Sequence, residues 1–311
     1  MTRIKVCYIS GYGRSGSTLL GQVLGHVEGF CNVGEVRNLF ETFRRPGWRC
    51  GCGEVLVECP FWKEVLASGT PPISSVDPET VHALWRSSFR TRHVPRLWWD
   101  AVRHRQPVPE YAQILDRLYQ GLAETSGAAV LVDGSKRPAD ALIAHGLDDV
   151  DLYLVHMVRD PRAVAYSWTR DKPSPGGLGD GARMGRRRPD VSTREWLFFN
   201  AAFMTVVRAS VGRRRYMPVH YEDLVREPRA TTAAIVEFLG ERPIGLPFVD
   251  DHTVELRATH NASGNPNRFQ TGPVEIRLDD EWRRAMSPRD RRVATLWSAP
   301  LLPLLGYPFR P

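Results

Sequence analysis

Residues 11–18 read Gly11-Tyr12-Gly13-Arg14-Ser15-Gly16-Ser17-Thr18, directly after the apolar run Ile4-Lys5-Val6-Cys7-Tyr8-Ile9. A short strand, a glycine-rich turn and a helical pattern (Leu19, Leu20, Val23, Leu24, Val27) make a loop whose backbone N–H groups converge on an anion. Further strand-type runs at 129–133, 152–158 and 215–220, with a short one near 30–33, alternate with helical patterns. That alternation predicts an α/β fold, a P-loop-type parallel sheet flanked by helices. The glycine spacing is that of G-x-x-x-x-G-K-[ST], yet Ser17 holds the lysine position and the cation comes earlier, at Arg14. A nucleotide kinase or NTPase would lack its β/γ-phosphate lysine here. The loop is therefore expected to hold a phosphate-like anion other than a nucleoside triphosphate.

A second strand-to-helix passage runs Leu152-Tyr153-Leu154-Val155-His156-Met157-Val158 into Arg159-Asp160-Pro161-Arg162-Ala163-Val164-Ala165-Tyr166-Ser167, with Pro161 in the first helical turn. Asp160 superficially resembles a Walker B aspartate. Followed by Pro161 and without a loop lysine, it reads as a helix-start residue, and no magnesium requirement is expected. Asp133-Gly134-Ser135-Lys136 follows another apolar strand, and Tyr221-Glu222-Asp223-Leu224 follows the strand that ends at His220. Gly264-Asn265-Pro266-Asn267-Arg268-Phe269 and Asp279-Asp280-Glu281-Trp282-Arg283 lie toward the C-terminus.

These segments, in this order, resemble those of sulfotransferases that use 3′-phosphoadenosine-5′-phosphosulfate (PAPS), particularly the bacterial and carbohydrate types. The resemblance implies transfer of a sulfuryl group to an acceptor hydroxyl of a carbohydrate, lipid or specialised metabolite. It assigns the 5′-phosphosulfate to Gly13, Arg14, Ser15, Gly16, Ser17 and Thr18, and the 3′-phosphate to Arg159 and Ser167. Arginine suits the latter because its planar fork donates paired, charge-assisted hydrogen bonds. Glu35, in Asn32-Val33-Gly34-Glu35, should stand where a short second strand ends on the ligand-bearing edge of the sheet. The family's Gly-Glu at this point implies that Glu35 is the general base, with Asp133 and His156 as fallbacks. Lys136 would assist at the transferring group, and Asn265 and Arg268 would close over the cofactor. The rival readings are a P-loop nucleotide kinase or NTPase, and a non-catalytic nucleotide-binding protein of the same fold.

Length and composition add bounds. At 311 residues, one sulfotransferase domain over 1–311 is expected, with an insertion at 46–110 where proline punctuates the pattern. The 172–190 stretch, rich in Gly, Pro and Arg, is expected to form a mobile loop that could serve as a lid. The net charge of +7 favours an anionic cofactor, while no basic stripe or motif points to nucleic acid. The opening residues lack an apolar leader pattern and no apolar window reaches transmembrane length, so neither a signal peptide nor an anchor is expected, and a cytoplasmic location is.

Two features stand outside this scheme. Cys50, Cys52 and Cys59 lie within ten residues of one another. Zinc usually takes four ligands, and neither His82 nor His93 shows finger spacing, so reduced structural cysteines without a metal are expected. Trp85, Phe89, Trp98 and Trp99, interleaved with Arg86, Arg90, Arg92, Arg96 and Arg103, are read first as a packed face and second as part of an acceptor pocket or a membrane-surface helix.

Overall fold

The computed structural model describes residues 3–88, 93–103, 109–171 and 183–309. Five strands, β1 (Ile4–Ser10), β2 (Phe30–Gly34), β3 (Val130–Lys136), β4 (Val150–Val158) and β5 (Tyr216–His220), form one sheet. Its order is β2-β3-β1-β4-β5 and every pairing is parallel. Parallel neighbours need crossovers, so helices cover both faces and the strands are apolar on both sides. The alternation within β1 shows the consequence. Val6 and Tyr8 enter a core shared with the helices of the 60–126 region, whereas Cys7 and Ile9 enter a second core beneath the Ser17–Leu24 and Pro228–Phe238 helices.

All five strands run the same way, so their C-terminal ends share one edge. β1 lies between β3 and β4, and the chain leaves it toward β2, making the loop after β1 the switch point where such sheets bind ligands. That one topological fact brings the ends of β1, β2, β3 and β4 around a common cleft.

Beyond the sheet, the described part of 46–110 is helical, with helices at Pro60–Ala67, Pro78–Ser88 and Val94–Val102 and the start of Pro109–Ser126. Trp62, Val65, Val81 and Leu97 anchor it in the first core. A two-stranded antiparallel hairpin of β6 (Thr253–Leu256) and β7 (Gly272–Glu275) was not foreseen from the sequence. Its four-residue strands are too short to show an alternating pattern. Phe89, Arg90 and Arg92, and residues 172–182 of the expected loop, lie outside the described residues. Among the described residues, no helix is long and apolar enough to cross a membrane.

Candidate functional site: an anion cleft at the switch point

A cleft of about 620 Å³ opens over the C-terminal edge of the sheet. Gly13, Arg14, Gly16, Ser17 and Thr18 form its floor, and the Ser17–Leu24 helix directs its N-terminus there. Gly16 takes φ 91°, and a Cβ on it would lie 2.6 Å from the Tyr221 ring, so only glycine lets the turn pass under that ring. Arg14 itself sits at φ 74°, a left-handed conformation that a non-glycine residue rarely adopts without compensation. Its guanidinium lies 4.8 Å from the Trp168 ring centroid, and Nη1 meets the Met184 sulfur at 3.2 Å. Nε and Nη2 of Arg14 and Oγ of Ser15 are buried without a hydrogen-bond partner. Burial, and secondly the neighbouring Arg170, holds the Arg14 guanidinium below its ordinary pKa. Orphaned donors that crowd a positive charge are the mark of a site shaped for an anion.

The β4 side of the cleft is built from Arg159, Ser167 and Trp168. Arg159, almost fully buried, donates to the carbonyls of Arg14 (3.2 Å) and Asp279 (2.8 Å) and lies over the Tyr221 ring at 4.1 Å. Its Nε has no partner. Ser167 lies two turns into the Pro161–Thr169 helix and reaches the same cleft. Asp160 caps that helix through the Arg162 N–H (2.9 Å) and also pairs with the wholly buried Arg162 guanidinium. Its carboxylate is thus engaged away from the cleft. Arg187, from the described end of the 172–190 stretch, packs on Trp168 at 4.7 Å and pairs with Glu195.

On the β2–β3 side, Glu35 follows β2 and Lys136 ends β3, and their side chains form an ion pair, both largely buried. Lys136 adopts φ 66° to make the turn. Asn38 Nδ2 donates to the other oxygen of Glu35 at 2.6 Å, and Ser263 Oγ donates to its carbonyl at 3.0 Å. Arg37 and Arg137 also line this side, stacked on Trp85 at 4.2 and 5.0 Å. Trp98 and Trp99 are exposed and do not line the cleft.

The two fallback bases are elsewhere. Asp133 is buried beneath the β2–β3 turns, accepting from Ser135 N–H (2.8 Å), Ser135 Oγ (2.5 Å) and Tyr119 OH (2.7 Å). Burial pushes its carboxyl up to about 6 despite those donors. His156 pairs with Tyr216 OH (2.5 Å) and Asn200 Oδ1 (2.9 Å) and is fully buried. Burial lowers its pKa to about 4. Neither side chain faces the cleft, so both are structural. Near the C-terminus Asn265 lines the cleft, whereas Arg268 stands behind the wall. The Arg268 guanidinium donates to the carbonyls of Gly264 and Arg49, both at 3.1 Å, and stacks on Phe269. Burial lowers its pKa to about 10. These two bonds brace the loop that carries Asn265, while the Arg268 Nε is buried without a partner.

Sequence reasoning missed Arg37, Trp168 and Tyr221 as cleft residues. Only the expectation that every strand end meets the same edge could have singled them out. A lone arginine or aromatic after a strand, or on the helix beyond it as Trp168 is, has no spacing signal of its own.

A five-stranded parallel sheet flanked by helices, with buried unpartnered donors at its switch point, defines an α/β protein. The family model described as "Sulfotransferase family" matches residues 7–243, so the chain belongs to the sulfotransferase family. Its fold is similar to the sulfotransferase domain from the curacin biosynthetic pathway, with 19% identity, 99% of each chain covered and a TM-score of 0.56. It is also similar to the sulfotransferase domain of the Synechococcus PCC 7002 olefin synthase, with 21% identity, 96% and 95% of the two chains covered and a TM-score of 0.50. No curated protein sequence matches it.

Proposed function

We propose that the protein is a PAPS-dependent O-sulfotransferase whose single domain releases adenosine 3′,5′-bisphosphate. The observation that carries the reading is the set of orphaned donors on cleft-lining residues, Arg14 Nε and Nη2 and Arg159 Nε, beside a loop without the NTPase lysine. Two anions fit such a floor. The Gly13–Thr18 loop and Arg14 would hold the 5′-phosphosulfate, while Arg159 and Ser167 would hold the 3′-phosphate. PAPS supplies an activated SO3 group, and the chain's own residues do the rest.

Arg14 and the helix N-terminus stabilise charge on the sulfuryl and leaving-phosphate oxygens. Glu35 accepts the proton of the acceptor hydroxyl, with Asn38 fixing the orientation of its carboxylate. Lys136, ion-paired to Glu35, holds that carboxylate in place and turns toward the transferring group as the acceptor hydroxyl comes between them. Arg268 and Ser263 position the Asn265 loop. Cysteines that pair in no disulfide suit a reducing compartment such as the cytoplasm.

The acceptor would approach over Arg37 and Arg137. Burial, then the neighbouring Arg37, holds Arg137 below its ordinary pKa, with Asp140 opposing that effect. An acidic group on the acceptor relieves the repulsion between the two guanidiniums, so hydroxylated acids should outrun neutral alcohols. A panel of hydroxy acids and their amides, assayed for bisphosphate release from PAPS, tests this. Preference for the acids that disappears in Arg137→Ala supports it, and equal rates for acids and amides in the wild type refute it.

A further inference from the structure

Three cysteines and a histidine that take no part in the cleft meet beside one of its walls. The sulfurs of Cys50, Cys52 and Cys59 and one ring nitrogen of His260 all lie within 4.8 Å of one another. Cys52 and Cys59 are 3.7 Å apart at sulfur, and Cys59 Sγ is 3.3 Å from His260 Nδ1. A zinc ion bound tetrahedrally, at about 2.3 Å from sulfur and about 2.0 Å from nitrogen, spaces its ligand atoms by roughly 3.5–3.8 Å. The same separations are far longer than a sulfur–sulfur bond of about 2.0 Å. The sequence offered only three of the four ligands. His82 and His93 do not join the group, and His260, some two hundred residues away along the chain, completes it.

Cys59 stands at the N-terminus of the Pro60–Ala67 helix, whose dipole favours an anionic sulfur there. A bound metal deprotonates a coordinating thiol outright. The histidine is fixed by its neighbours, since the Phe61 ring stacks on it at 4.8 Å and 8°, and Trp62 Nε1 donates to its carbonyl at 2.8 Å.

We propose that Cys50, Cys52, Cys59 and His260 bind one zinc ion in a closed structural site. Three thiolates and an imidazole in tetrahedral array select zinc over the oxygen-seeking divalent ions. Four protein ligands leave no open position for water or substrate, so the site staples and does not catalyse. It joins residues 48–62 to the 259–268 segment, a junction also made by Gly51 N–H donating to the Asn261 carbonyl (2.9 Å) and Trp48 Nε1 to the Ala262 carbonyl (2.8 Å). Gly51 approaches so closely that a Cβ would sit 2.6 Å from the Thr259 carbonyl oxygen. Immediately beyond the staple, Ser263 donates to the backbone of Glu35 and Asn265 lines the cleft. The zinc would therefore set one wall of the active site from a distance. It acts whether or not the donor is PAPS.

The test is elemental analysis of full-length protein purified without a polyhistidine tag, followed by cobalt substitution. One zinc per chain is expected, lost in Cys52→Ser and in His260→Ala but retained in Cys31→Ser. The cobalt form should show the intense visible bands of a tetrahedral site with sulfur-to-cobalt charge transfer. Chelator should lower the Tm of the wild type and leave that of any soluble Cys52→Ser protein unmoved. Zinc-free protein with weak octahedral cobalt bands would overturn the proposal, as would a Cys52–Cys59 disulfide in freshly isolated protein. Full zinc in folded His260→Ala would also overturn the ligand set. Should the ligand variants fail to fold, the wild-type zinc content and cobalt spectrum decide alone.

Discussion

Glu35 and Lys136 neutralise each other in the resting cleft, so their separate contributions appear only on substitution. Glu35→Gln keeps a side chain that Asn38 and Lys136 can still contact but removes the proton acceptor. It should lower kcat by about 10²–10⁴ with nucleotide affinity unchanged, read by steady-state rates beside calorimetry. A loss of nucleotide affinity with kcat intact would mean that Glu35 belongs to the cofactor site instead. His156 gives a second test at this scale. Its folded pKa is lowered to about 4 from an unfolded value near 6.5, so the folded state prefers the neutral ring. The stability this supplies is full above the unfolded pKa and is lost as pH falls through that window. Asp133 works against it over nearly the same range, because a carboxyl raised to about 6 loses its stabilising effect as pH rises. The difference between wild type and His156→Gln isolates the histidine: the stability gap should narrow by about 3 kcal/mol between pH 7 and pH 4 in denaturant titrations. A pH-independent gap would show that the ring is not titrating in that way.

At the scale of elements, the Pro161–Thr169 helix carries Ser167 and Trp168 into the cleft, and its start depends on one carboxylate. Asp160 caps the helix and is the ion-pair partner of Arg162, whose guanidinium is fully buried. Asp160→Ala strands that charge, since the Phe309 carbonyl at 3.3 Å is the other hydrogen-bond acceptor shown for it. The expected cost is about 3–5 kcal/mol in chemical denaturation, well above the ~1 kcal/mol of a cap alone. A cost near the cap value would mean that the guanidinium escapes to water. The sequence placed this element correctly because a buried strand followed by Asp-Pro is an unambiguous strand-to-helix signal. It placed β1–β5 for the same reason, uninterrupted apolar runs between turn residues. The β6–β7 hairpin and the position of Arg268 behind the wall were not legible, because neither a four-residue strand nor the aim of a side chain leaves a periodic trace.

For the whole molecule, parallel topology makes one edge serve as the site, which is why residues as distant in sequence as Arg14, Glu35, Lys136 and Arg159 surround one cleft. That convergence could be foreseen once the strands were known. The partnership of His260 with the three cysteines could not, since only the folded path of the 259–268 segment along the 48–62 segment brings them together. The central claim is that the orphaned donors receive a nucleotide with two separate anions. Calorimetric titration with adenosine 3′,5′-bisphosphate, beside ADP, ATP–Mg and the Arg159→Ala variant, tests it most directly. Micromolar binding that requires the 3′-phosphate and vanishes in Arg159→Ala is the expected result. Equal or tighter binding of ATP–Mg, or indifference to the 3′-phosphate, would contradict the account and favour a kinase-like use of the same loop.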